Sequence, residues 1–82
     1  MQKTLRLDIG GPKGNAFYIL GMVGKLTSKE LATKIREEMK TGNYNNLLTV
    51  FKKHFPGILL YSSYRLAGVD KKLYKIEKSY EL

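Results

Sequence analysis

The sequence predicts a small α+β domain with the element order β-α-α-α-β-β. Three observations support this fold class. A short early segment alternates apolar and polar residues, three later segments have the apolar spacing of helices, and two β-rich runs near the end flank a glycine-containing turn. We expect a small, mostly antiparallel three-stranded sheet with the helices on one face. The 82 residues suffice for a single domain, 1–82.

The first strand is predicted over residues 4–9. Its apolar residues Leu5, Leu7 and Ile9 fall on one face of an extended chain. Residues 10–14, Gly-Gly-Pro-Lys-Gly, then end the strand, because such a segment continues neither a strand nor a helix. The partner of this strand in the sheet stays open.

Three helices are predicted next, each beginning at a residue that can cap it. The first spans residues 15–26 and is apolar nearly all round, which is typical of a helix at the centre of a fold or in an oligomer interface. The second begins at the capping box Thr27-Ser28-Lys29-Glu30 and ends near residue 40. The third, residues 43–55, is capped by Asn43 and has a buried face of regularly spaced apolar residues.

The last part of the chain predicts a hairpin. Residues 58–66 form a β-rich run, and residues 73–82 place Tyr74 and Ile76 on one face with Lys75 and Glu77 on the other. Residues 67–70, with Gly68, supply the turn. Two such runs around a short connection favour antiparallel pairing.

The composition excludes several classes of function. Without cysteine there is no disulfide, thiolate metal site or thiol nucleophile, and a single histidine leaves no histidine pair. No apolar run approaches the roughly 20 residues of a membrane span, and the first residues lack the apolar stretch of a signal peptide. We therefore expect a cytoplasmic protein with no membrane partner, no metal and no cofactor.

We also expect a protein that is not an enzyme. Asp8 has no acidic partner in the sequence, and His54 is explained by its place near a helix carboxyl terminus, where a cation is favourable. No arrangement of a nucleophile with a base stands out. No catalytic residue is therefore assigned.

The net charge of +8 points to anionic partners. Fifteen Lys and Arg residues face seven Asp and Glu residues, and the excess is spread along the chain rather than collected in a tail. Such a charge is enough for salt-dependent association with nucleic acid. A domain this small, with no disulfide or metal, also favours a homo-oligomer.

The loop between the first strand and the first helix carries the main site hypothesis. Glycines allow backbone N–H groups to turn toward one anion, and the helix that follows presents further free N–H groups. On this basis Gly11, Lys13, Gly14 and Asn15 are predicted to contact a phosphate. The alternative is a tight strand–helix connection that needs glycine for a positive φ.

Aromatic and basic residues elsewhere suggest a place for a base. Tyr44 lies at the start of the third helix, and Tyr64 and Arg65 lie in the first β-rich run. A tyrosine ring can stack on a base, and Arg65 can pair with charge on the same ligand. The alternative for these tyrosines is packing at the edge of the core, with the neighbouring cations facing solvent.

Two segments resemble small proteins encoded by tailed bacteriophages. Residues 8–21 read Asp-Ile-Gly-Gly-Pro-Lys-Gly-Asn-Ala-Phe-Tyr-Ile-Leu-Gly and match their Gly-x-x-Gly-Asn-Ala-Phe segment. Residues 39–48 match a later segment in which Gly-Asp-Tyr is expected, and here Asn43 replaces the acid. The resemblance covers about residues 4–61 and implies a viral origin, with the cytoplasm of a bacterial host as the place of action.

The resemblance also suggests a class of function. In size and charge the chain is similar to phage anti-defence proteins that bind and sequester a nucleotide immune signal, a cyclic nucleotide or an ADP-ribose-like molecule. We take this as the leading hypothesis. A small basic nucleic-acid-binding accessory protein is one alternative, and an inhibitor that binds a host protein directly is the other.

Overall fold

The computed structural model describes residues 5–77 of the chain. Within them lie three strands, three α-helices and two one-turn 3₁₀ helices. The strands are β1 (Leu5–Asp8), β2 (Ile58–Ser62) and β3 (Lys75–Ile76), and the helices are α1 (Ala16–Leu26), α2 (Lys29–Met39) and α3 (Tyr44–His54). The 3₁₀ helices are Pro12–Gly14 and Lys71–Leu73. The predicted helices are therefore present, and the predicted strands are shorter than expected.

The sheet is parallel, so the prediction of a mostly antiparallel sheet is wrong. The strand order is β1-β2-β3, and both pairs run parallel. No hairpin joins the last two strands, because residues 63–74 separate the end of β2 from the start of β3. A hairpin closes with about two to five residues, whereas a parallel return needs about a dozen.

The connection from β2 to β3 is held by α3. Gly68 forms a turn with φ +79°, in the left-handed region that favours glycine. Asn45 of α3 holds this turn with both ends of its side-chain amide. Its Nδ2 donates to the Gly68 carbonyl at 3.2 Å, and its Oδ1 accepts from the Asp70 N–H at 2.8 Å. The predicted turn therefore exists within a longer crossover. The part of the predicted last strand beyond Glu77 lies outside the described residues.

The register of the sheet separates a buried face from a more exposed one. Leu7 lies opposite Leu60, and both are buried in the core formed with the helices. Asp8 lies opposite Tyr61 on the other face, together with Arg6. The alternation predicted for the first strand is thus present, and it places Arg6 and Asp8 side by side away from the core.

The first helix lies at the edge of the core rather than at the centre of the fold. Ile19 and Val23 are buried, whereas Phe17 is 83% exposed and Tyr18 is 39% exposed. The expectation of a central helix is therefore wrong for the single chain, and self-association through α1 stays a prediction. Each helix has 11 residues, and none in the described part of the chain is long and apolar enough to cross a membrane.

The caps follow local sequence rules with one shift. Asn43 caps α3 as predicted, its side chain accepting from the Asn46 N–H at 3.0 Å. The cap of α2 is Ser28 rather than Thr27, and it accepts from the Leu31 N–H at 3.3 Å. Glu30 is therefore one position too early to complete the predicted capping box.

Candidate functional site

The parallel sheet brings the ends of its strands to a common edge. In parallel sheets, side chains and loops at the carboxyl ends of the strands are the usual place for a ligand. Here β1 runs into residues 10–15, which we call the glycine loop, and the Ile9 N–H continues the pairing by donating to the Tyr61 carbonyl at 2.9 Å. The loop predicted as an anion site therefore lies at the edge where such sites form.

Close packing requires two of the three glycines in the glycine loop. A Cβ at Gly14 would overlap the Ile9 carbonyl, and one at Gly10 would overlap Ser62 Oγ. Gly68 is the positive-φ residue of the described chain, so neither loop glycine is needed for a left-handed backbone. The alternative interpretation, a tight connection between strand and helix, is therefore correct in that these glycines are tightly packed. It is wrong in that they do not adopt a positive φ.

Asn15 acts as the cap of α1. Its Oδ1 accepts from the Phe17 N–H at 2.8 Å, as expected for an N-cap residue. The predicted cap is therefore confirmed, and the Asn15 side-chain oxygen already has an intramolecular donor.

Two tyrosine hydroxyls hold the glycine loop in place. Tyr44 donates to the Gly14 carbonyl, and Tyr64 donates to the Gly10 carbonyl. The structure thus brings both predicted tyrosines to the predicted loop, where their hydroxyls form hydrogen bonds with the loop backbone. The Tyr64 ring stays 49% exposed, whereas burial raises the pKa of Tyr44 above its ordinary value.

Tyr44→Phe is expected to lower stability at neutral pH and to flatten its decline at high pH. The variant loses the hydrogen bond to Gly14, worth about 1 kcal/mol. Because the folded-state pKa is raised, the stability due to neutral Tyr44 is complete below about pH 10 and is lost as the pH rises through that folded-state pKa. Urea unfolding at a series of alkaline pH values measures this. Tyr18→Phe is the control and should show the same decline of stability with pH as the wild type. An equal decline in the wild type and Tyr44→Phe would contradict the prediction.

The backbone amides of the loop are only partly open to a ligand. The Gly10 N–H donates to Asp8 Oδ1 at 2.9 Å, so a carboxylate already occupies the first amide. The Gly14 N–H donates to the Gly11 carbonyl at 2.9 Å. The N–H groups of Gly11 and Lys13 make no hydrogen bond within residues 5–77. These two N–H groups, which Pro12 separates, therefore have no hydrogen-bond partner among the described residues.

A cleft of about 340 Å³ opens next to these two amides. It is lined by Arg6, Asp8, Gly11, Pro12, Lys13 and Tyr61. The Arg6 guanidinium lies 4.6 Å from the centre of the Tyr61 ring and pairs with Glu77. Of the predicted site residues, Gly11 and Lys13 therefore line the cleft, whereas Gly14 and Tyr44 support the loop behind it.

Arg6, Asp8 and Tyr61 line this cleft but are not among the predicted site residues. The alternation in β1 already placed Arg6 and Asp8 on one face, directly before the loop, and this signal was available. Tyr61 joins them only through the parallel register, in which it lies opposite Asp8.

Other predicted contacts fall elsewhere. Arg65 is exposed, lies beyond the end of β2 and does not line the cleft. The asparagines near Tyr44 are used within the fold: Asn46 Nδ2 donates to the Glu38 carbonyl at 3.3 Å, and Asn45 holds the β2–β3 connection.

His54 lies in the last turn of α3, as predicted, and its partner is a glutamate. Its Nε2 is 2.9 Å from Glu38 Oε1, and Lys53 Nζ is 3.3 Å from Glu38 Oε2. The hydrogen bond with His54 is the main reason that the pKa of Glu38 is lowered, and the hydrogen bond from Lys53 is the second. This group joins α2 to α3 and is separate from the cleft.

No family model, no curated protein and no solved structure matches this chain. Among residues 5–77, no group of three or more His, Asp or Glu side chains is placed to hold a metal ion.

Proposed function

We propose that this chain is a non-catalytic binding protein that holds a phosphorylated nucleotide in the cleft beside the glycine loop. The observation that carries the proposal is the lining of the cleft. It combines two basic residues, one acidic residue, one aromatic residue and a loop segment in which two N–H groups have no partner among residues 5–77.

The phosphate is assigned to the loop side of the cleft. Lys13 is exposed and its side chain is a cation, while the N–H groups of Gly11 and Lys13 can donate to phosphate oxygens. The loop leads directly into α1, whose amino end carries partial positive charge. These features favour an anion at the rim.

The remaining residues favour a nucleotide over a bare phosphate. Asp8 offsets one cation of the cleft, and Glu77 is paired with Arg6, so the local charge is close to balanced. A ligand that also brings hydroxyl or amine donors can use the second oxygen of Asp8, since Oδ1 already accepts from Gly10. The Tyr61 ring offers a surface on which a base can stack. Tyr61 and Arg6 thus take the roles that the sequence suggested for Tyr64 and Arg65.

The size of the cleft suits one small ligand. Its volume of about 340 Å³ lies at the lower end of the range for ligand pockets, about 300–1,000 Å³. A cyclic mononucleotide fits such a volume, and an ADP-ribose-like ligand would extend beyond it, toward solvent or a second subunit. The biological part of the proposal follows the phage resemblance: the protein sequesters a nucleotide immune signal in the host cytoplasm and thereby blocks its use.

Lys13→Glu is expected to weaken nucleotide binding at least about 10-fold, a loss of about 1.4 kcal/mol, because a carboxylate replaces the cation nearest the phosphate. Isothermal titration calorimetry with cyclic AMP, AMP and ADP-ribose measures this. Lys29→Glu is the matched control, since it makes the same charge change at an exposed position on α2.

A second variant tests the base. Tyr61→Leu keeps an apolar strand residue and removes the aromatic ring, so it should weaken binding of AMP and leave binding of inorganic pyrophosphate unchanged. Absence of binding for all three nucleotides, or equal affinities in the wild type and Lys13→Glu, would overturn the proposal.

A further inference from the structure

A second cleft, of about 450 Å³, lies along the β3 side of β2. In the described part of the chain, β3 pairs with β2 at Tyr61 and Ser62, so residues 58–60 of β2 extend past β3 and line this cleft. Three lysines from three different elements surround it: Lys52 from α3, Lys72 from the second 3₁₀ helix and Lys75 from β3. We call it the lysine cleft. It shares no lining residue with the cleft beside the glycine loop.

The lysine cleft has three positively charged residues in its lining. No carboxylate is among its lining residues within the described chain. Asp70, two residues before Lys72, is not among the lining residues, and its Oδ1 accepts from the Lys72 N–H at 3.0 Å as the cap of the 3₁₀ helix. Glu77, two residues beyond Lys75, pairs with Arg6. Bringing like charges together without acidic partners is unfavourable, and an anionic ligand removes that cost.

The fold brings these three lysines to the lining of one cleft. Lys52 Nζ donates to the Lys72 carbonyl at 3.0 Å, which joins α3 to the β2–β3 connection. Its position in the last turn of α3 gives Lys52 a favourable interaction with the helix dipole. That interaction does not account for Lys72 and Lys75, which come from other elements. The convergence therefore depends on the crossover between β2 and β3.

The aromatic residue of the lysine cleft is not available to a base. Tyr74 is only 7% exposed, and its hydroxyl accepts from the Leu66 N–H at 2.8 Å. Among the described residues, a ligand in this cleft thus meets lysines and aliphatic side chains, with no exposed ring on which to stack. Such a lining can contact phosphates and has no means of distinguishing one base from another.

We infer that the lysine cleft, through Lys52, Lys72 and Lys75, binds the phosphate backbone of nucleic acid without regard to sequence. The inference is independent of the nucleotide proposed for the other cleft. Three phosphate contacts predict a slope of log Kobs against log salt concentration of about −2.7 on duplex DNA and about −2.1 on single strands.

The test is fluorescence anisotropy with a labelled DNA of mixed sequence, single-stranded and duplex, over a salt titration. The variant K52Q/K72Q/K75Q should lose about 0.9 of slope for each lysine on duplex DNA and about 0.7 on single strands, and so become nearly insensitive to salt. The matched control K25Q/K29Q/K34Q has the same net charge, with its three changes at exposed positions on α1 and α2. It should keep the wild-type slope. Circular dichroism establishes that both variants are folded.

Three outcomes would overturn the inference. The first is no DNA binding at low salt. The second is an equal loss in both triple variants, which would mean that binding follows net charge rather than the cleft. The third is binding of poly-glutamate in preference to DNA, which would indicate an acidic protein partner. Lys13→Glu should leave the salt slope unchanged, and K52Q/K72Q/K75Q should leave nucleotide affinity unchanged, so the two proposals fail separately.

Discussion

Replacement of Gly14 by alanine is expected to lower the free energy of unfolding by about 3 kcal/mol or more. The new Cβ would overlap the Ile9 carbonyl and lie 2.8 Å from the Ile9 Cα. These are backbone atoms that continue β1 into the sheet, so no flexible side chain can move aside. The cost therefore lies at the upper end of the range for overpacked sites. For a domain of this size it corresponds to a fall in Tm of roughly 12–24 °C.

Urea unfolding and a thermal melt measure this loss, and Gly57→Ala is the matched control. A Cβ at Gly57 has no neighbour within 4 Å, and the residue has no positive φ. Its substitution should change stability by no more than about 0.5 kcal/mol. Equal stabilities for the two variants would contradict the close approach of Gly14 to β1. The loss should also weaken nucleotide binding, because Gly14 lies between Lys13 of the cleft and the cap of α1.

Phe51→Ala is expected to cost about 3–5 kcal/mol. Phe51 is fully buried, and its ring centre lies 5.2 Å from that of Phe55. Truncation would leave a cavity beneath α3, the helix that also holds the β2–β3 connection through Asn45. A loss of this size is a large share of the total stability of about 4–12 kcal/mol expected for a chain of this length.

Phe17→Ala provides the comparison within the same residue type. Phe17 is 83% exposed, so truncation should change the stability of the monomer by about 0.5 kcal/mol or less. Urea unfolding of both variants, repeated at several protein concentrations, makes the measurement. Similar losses at Phe17 and Phe51 would contradict the burial described for the single chain. A loss at Phe17 that grows with protein concentration would instead show that α1 is covered by a second copy.

Local rules were sufficient for the helices. Asn15 and Asn43 cap α1 and α3 as predicted, because an N-cap depends on a side chain and an N–H only two or three residues apart. The cap of α2 moved by one residue, from Thr27 to Ser28, since both residue types can accept the same hydrogen bond. The glycine loop was placed correctly between β1 and α1 for the same local reason.

The direction in which the strands pair could not be predicted from such local rules. β-rich residues suit parallel and antiparallel partners alike, and the turn at Gly68 looks the same in a hairpin and in a longer crossover. The difference lies in where the strands stop. β2 ends at Ser62, and β3 does not begin until Lys75, because α3 binds the intervening segment through Asn45 and Lys52. Those contacts join residues about 20 positions apart, which no local pattern shows.

The sequence by itself determined the class of the domain, its helices, the position of the glycine loop and the excess of positive charge. Each of these depends on composition or on neighbours along the chain. Only the tertiary structure decided which residues share a cleft. Tyr61 reaches Arg6 and Asp8 through the parallel register, and Lys52 meets Lys72 and Lys75 through the crossover. Residues distant in sequence become neighbours when strands pair and helices pack, so the chemistry of both clefts follows from the fold.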